Sequence, residues 1–99
     1  MQITKTEDCL KILLTGEIDH HNAKQMREAI DAKVREERPE VLVLDFTNVE
    51  FMDSSGLGLI IGRYRLMQEL SGRVEVVGAN ARIKSILKMA GAGKYVQIR

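Results

Sequence analysis

Asp53, Ser54 and Ser55 stand in a row, and glycines follow at 56, 58 and 62. A serine hydroxyl becomes a nucleophile when a base takes its proton, and a phosphate ester when a kinase modifies it. The acid and base that hydrolysis needs could come from Asp19, His20 and His21. The nucleophile elbow G-x-S-x-G is missing, because Met52 occupies the place of its first glycine. Adjacent histidines point in different directions, so a shared metal ion is not expected. The glycine run lacks the G-x-G-x-x-G spacing of a dinucleotide site, and Gly91-Ala92-Gly93-Lys94 lacks the upstream glycine of a Walker A loop. The single cysteine, Cys9, excludes an internal disulfide and a cysteine metal cluster.

The segment after Asp53 reads as the start of a helix capped by that residue, with Ser54, Ser55 and Gly56 in its first turn. Capping alone would explain an acid and serines there. It does not explain the glycines, each of which costs a helix about 1 kcal/mol relative to alanine. Ser55, Gly58 and Gly62 share one helical stripe, and a stripe without side chains lets another backbone come close. A phosphate on Ser54 would meet free N–H groups and the positive end of the helix dipole. It would bring about −1.5 to −2 charges next to Asp53. One unit-charge pair roughly 6 Å apart is worth about 3 kcal/mol at an effective dielectric of about 20. That would weaken an acid-sensitive contact on the order of 100-fold.

The elements that must position these groups follow from hydrophobic periodicity. Gln2–Glu7 alternates weakly, as an edge strand does, and Cys9–Ile18 reads as a strand ended by Gly16. Residues 22–37 carry Ala23, Met26, Ile30 and Val34 on one stripe of a helix begun by Asp19 or Asn22 and stopped before Pro39. Val41–Phe46 is almost wholly apolar, as a central strand covered on both faces would be. The second helix runs from Ser54 to about Leu70, with Leu57, Ile60, Ile61, Tyr64, Met67 and Leu70 apolar, and Ser71-Gly72 ends it. Arg73–Gly78 reads as a strand. Asn80 caps a short helix with Ile83, Ile86 or Leu87, and Ala90 facing inward, and Lys94–Arg99 closes as a strand.

The order β-β-α-β-α-β-α-β predicts one α/β domain over residues 1–99, a mixed and mostly parallel sheet packed against helices with right-handed crossovers. Two loops, 16–22 and 47–55, should then emerge side by side at the carboxyl rim, where parallel sheets commonly bind ligands. Asp19 would frame Ser54 across it.

The formal net charge is +1. Residues 1–53 hold 7 Lys/Arg and 12 Asp/Glu, whereas residues 54–99 hold 8 and 2. Folding can mix these halves, or leave a bipolar surface that steers a charged protein partner. Arg82, Lys84 and Lys88 read as a solvated helix face, and with aromatics at 4% no nucleic-acid surface is expected. No apolar run approaches the length of a membrane span, and no signal-peptide layout begins the chain, so the expected location is the cytoplasm.

"LTGEIDHHNA", "VLVLDFTNVEFMDSSGLGLIIGRYR", "GRVEVVGAN" and "IKSILKMAGAGKYVQI" together resemble a STAS domain, over nearly the whole chain. The resemblance is to the bacterial anti-sigma factor antagonists, of the sigma-F sporulation type. It implies that Ser54 is phosphorylated by the partner, an anti-sigma factor that is itself an ATP-using serine kinase of the histidine-kinase-like ATPase type. The unphosphorylated form would bind that factor and free the sigma factor; phosphorylation would end the binding, and a serine phosphatase would reset it.

The domain would have no active site or cofactor of its own, ATP being used by the kinase. Asp19, Asp53, Ser55, Gly56, Leu57, Gly58, Ile61 and Gly62 would form the docking surface. Similar antagonists continue past the last strand into a terminal helix, which this sequence lacks, so one side of the sheet is expected to expose apolar surface. A monomer is expected. The rival reading is a STAS unit that never cycles through phosphate, a scaffold subunit of a stress-signalling or transport complex.

Overall fold

Alternation dictates the sheet. Leu10, Ile12, Leu14 and Ile18 are fully buried, while Lys11, Thr15 and Glu17 between them are exposed. In the computed structural model, which describes residues 1–99, the elements are β1 (Gln2–Lys5), β2 (Cys9–Ile18), α1 (Ala23–Glu37), β3 (Val41–Met52), α2 (Ser54–Glu69), β4 (Arg73–Val77), α3 (Ala81–Met89) and β5 (Gln97–Ile98). A 3₁₀ turn at Ala92–Lys94 precedes β5. The five strands lie in the order β1-β2-β3-β4-β5; β1 is antiparallel to β2, and the rest are parallel. The expected fold class and element order therefore hold, with no helix long and apolar enough to cross a membrane.

Register shows where the core sits. Leu10 and Ile12 lie opposite Leu42 and Leu44, which lie opposite Val74 and Val76. These residues join one buried cluster with Ile30 and Val34 of α1, Leu59, Ile60 and Met67 of α2, and Ile83 and Leu87 of α3. All three helices thus cover the same face. The expectation that Val41–Phe46 is covered on both faces is corrected. The second face carries Lys11, Val43, Asp45, Arg73 and Glu75, with ion pairs across it, and Cys9, Leu13, Val41 and Val77 half-buried, so apolar surface is partly exposed on this side. Lys11 Nζ lies 3.5 Å from Asp45, and Glu75 is held between Arg73 at 3.4 Å and Arg99. Aliphatic stems and paired charges hide Val43 without a helix.

Several boundaries differ from the sequence reading. Gly16 does not end β2: its φ of 92° allows a register shift against β3, and the strand continues to Ile18. β3 likewise runs on to Met52, pairing Glu17 with Phe51 and Ile18 with Met52. Residues 47–52 are therefore a strand that extends past β4, not a loop, because buried Val49 and Met52 keep that end anchored. β5 is shorter than expected, as Lys94 and Tyr95 lie in and beside the 3₁₀ turn. Ala90 caps α3 and is exposed instead of facing inward.

Candidate functional site

The last residue pair of the β2–β3 ribbon sets the site. Asp53 N donates to Ile18 O at 3.1 Å, which brings the start of α2 beside the loop that follows β2. That loop is closed by its own polar groups. Asp19 Oδ1 accepts from His21 N and Asn22 N, and Asn22 Oδ1 accepts from Asp19 N at 3.0 Å. Asn22 Nδ2 donates back to Glu17 O. Neither Asp19 nor Asn22 caps α1 with its side chain; both are engaged in fixing the turn. The Asp19 carboxylate thus serves its own loop, and it is His20 that reaches across, its Nδ1 lying 3.9 Å from Asp53 Oδ2.

Asp53 caps α2, its Oδ1 accepting from Ser55 N at 2.7 Å. That backbone bond, above all, holds the Asp53 carboxyl below its ordinary value; partial desolvation opposes it, and the Ser55 hydroxyl and His20 reinforce it. Ser54 occupies the first helical position and is exposed, so its hydroxyl is open to solvent at the positive end of the helix. Ser55 is half-buried.

The glycines separate into two kinds. Gly56 is buried, and a Cβ there would come within 3.0 Å of Met52 Cγ and Sδ, so its lack of a side chain lets α2 start tight against β3. Around Gly58 and Gly62 there is nothing within 4 Å of a Cβ. Leu57 and Ile61 are half-buried, Leu57 packing against the core. The outward part of the expected surface is therefore Ser54, Ser55, Gly58 and Gly62, and Gly56 belongs to the interior.

Between α1 and this stripe lies a cleft of about 340 Å³, bordered by His20, Lys24, Arg27, Ser55, Gly58 and Leu59. Lys24 and Arg27 lie off the apolar stripe of α1, and sequence reasoning did not single them out. It also missed Arg63, which lies in the buried stripe of α2 between Ile60 and Met67. Its Nε sits 2.7 Å from Asp31 Oδ1 of α1, an ion pair whose N–H does not point along the contact; its Nη1 donates to Leu59 O. An arginine three residues after one core position and four before another was the available signal. A larger depression of about 450 Å³ lies by Lys84, Lys88 and Lys94, near α3 and β5, but it holds no group of the serine site.

A STAS domain family model matches residues 1–99. An anti-sigma F factor antagonist of Paenibacillus polymyxa is 38% identical over 89 residues, covering 90% of this chain and 76% of that protein. The structure of the anti-sigma factor antagonist SpoIIAA in its unphosphorylated form superposes with a TM-score of 0.84 at 28% identity, over 99% of this chain and 86% of that one. The phosphorylated form of SpoIIAA, a Bacillus cell fate determinant, superposes at 0.76, with the same identity and 99% and 89% coverage.

Proposed function

The chain belongs to the STAS domain family, and from that premise we propose that it is an anti-sigma factor antagonist switched by phosphorylation of Ser54. Its unphosphorylated form binds an anti-sigma factor in the cytoplasm and releases a sigma factor. That anti-sigma factor is also the serine kinase and uses ATP; a serine phosphatase restores the hydroxyl. The domain is a substrate and a binding module, with no chemistry of its own.

One observation carries the reading: an exposed hydroxyl at the first position of α2 stands one helical turn before an exposed glycine with open space around it. Phosphate added there meets the helix dipole and needs no rearrangement of the core. It places about two negative charges beside Asp53 and at the entrance to the stripe. For a partner carboxylate roughly 6 Å away, the repulsion is about 3 kcal/mol before solvent screening, or on the order of 100-fold in affinity.

The test is incubation with the cognate anti-sigma factor and ATP, followed by mapping of the phosphate by mass spectrometry. Phosphate is expected on Ser54 and absent from Ser54→Ala. Calorimetry should show Ser54→Ala binding that factor and Ser54→Asp binding it more weakly. Phosphate on another residue, or equal affinity of the two variants, would refute the switch.

A further inference from the structure

The α1 wall of the cleft between α1 and α2 is positively charged, and the α2 wall is uncharged. Lys24 and Arg27 are both exposed, and neither has a carboxylate within 4.0 Å, whereas Lys33 of the same helix pairs with Glu36 and Glu37. No acidic side chain borders the cleft. Further along the same groove, Asp31 is already taken by Arg63. Burial lowers the pKa of the Arg63 guanidinium, Asp31 opposes that shift, and Arg27 and Arg35 lie near enough to add to it. Glu28 and Asp31 lie one turn on from Lys24 and Arg27, but neither closes to a salt bridge with them, so both ammonium and guanidinium heads stay available to a partner. The floor differs from the walls: Gly58 leaves open space and Leu59 is nearly buried beneath it.

We propose that this cleft receives an acidic segment of the protein partner, its carboxylates pairing with Lys24 and Arg27 while its backbone settles over Gly58. This deepens, and rests on, the antagonist reading of the same site. It also supplies the sign of the switch. A phosphate on Ser54, one turn before Gly58, brings its own negative charge to the mouth of a cleft whose cations attract the partner's acids. Modification and partner then compete for the same positive field. The docking is steered by charge, so its strength falls with salt, in contrast to docking by apolar contact.

The test is the double variant Lys24→Glu, Arg27→Glu, titrated against the purified cognate anti-sigma factor loaded with ADP, at about 0.05 M and about 0.5 M salt. Arg82→Glu, Lys88→Glu on α3 makes the same change in net charge far from the cleft and serves as the control. The cleft variant should bind at least about tenfold more weakly at low salt, with the gap narrowing at high salt, while the control binds like the parent. Unchanged melting curves confirm that both variants fold. Carbodiimide coupling of the parent complex should join Lys24 to an aspartate or glutamate of the partner, read by mass spectrometry. A cleft variant that binds as tightly as the parent, or a control that loses as much, overturns the cleft and leaves the antagonist reading standing. A parent chain that does not bind the anti-sigma factor at all overturns both.

Discussion

Gly56 and Gly58 lie two residues apart in one helix, and the same substitution should move stability in opposite directions at the two sites. At Gly58 an added methyl meets nothing within 4 Å, and the backbone is helical. Alanine there should therefore gain its full propensity advantage, about 1 kcal/mol. For a domain of this size that raises the melting temperature by about 4–8 °C. At Gly56 the methyl falls within 3.0 Å of Met52 Cγ and Sδ, and Met52 is itself almost fully buried. Met52 would have to move, and overpacking of this kind costs about 1–3 kcal/mol, more than the propensity gain returns.

Thermal and urea denaturation of the two variants measure both signs. Binding supplies the second axis. If a partner backbone settles over Gly58, Gly58→Ala should bind the anti-sigma factor about tenfold or more weakly while being the more stable protein. A stabilised Gly58→Ala that binds as well as the parent would remove the stripe from the docking surface. A destabilised one would show that the fold itself requires the glycine, and the reasoning from open space would fail.

The buried pair gives another prediction. Arg63→Met should cost about 3 kcal/mol in urea denaturation by leaving Asp31 unpaired, and adding Asp31→Leu should recover most of it; equal losses in the single and double variants would mean that the two charges are not coupled. A third prediction concerns acid. Burial opposes ionisation of Asp45, yet the Thr47 hydroxyl and N–H and the Lys11 ammonium hold its carboxyl below the ordinary value of 3.8. A lowered folded-state value stabilises the fold above the unfolded value, and the contribution disappears as pH falls through the folded one. Melting temperature should therefore decline as pH drops below about 4, and the decline should be shallower in Asp45→Asn. An Asp45→Asn curve parallel to the parent's would assign acid sensitivity to other carboxylates.

Much of the fold was legible because each element buries a single stripe or alternates cleanly. The stripe Ile30, Val34 and the alternation Leu10, Ile12, Leu14 state their periods without help from tertiary structure. Asp53 as cap and Ser54 as an exposed first-turn hydroxyl were legible for the same local reason. What could not be read depended on neighbours. A run such as Val41–Phe46 looks doubly buried, since nothing in it tells that the stem of Lys11 and the paired charges of Asp45 and Glu75 would shield its second face. Gly16 looks like a stop, because a bulge needs the partner strand to define it. A glycine has no side chain to reveal which way it faces, so Gly56 and Gly58 were grouped together. Lys24 and Arg27 were ordinary helix charges until α2 was laid beside them.

The bare side of the sheet has a consequence for the molecule in a crowded cell. A chain that spends all three helices on one surface leaves a flat, strand-rich slab on the other, the sort of slab that stacks on its own kind. Here cations from β2, β4 and the terminal arginine alternate with Asp45 and Glu75 across it. Stacking two such slabs would strip water from every one of those charges, a cost set against the contact that the half-buried Leu13, Val41 and Val77 of the same face could make. The opposite charges thus make bound water a fixed part of this face.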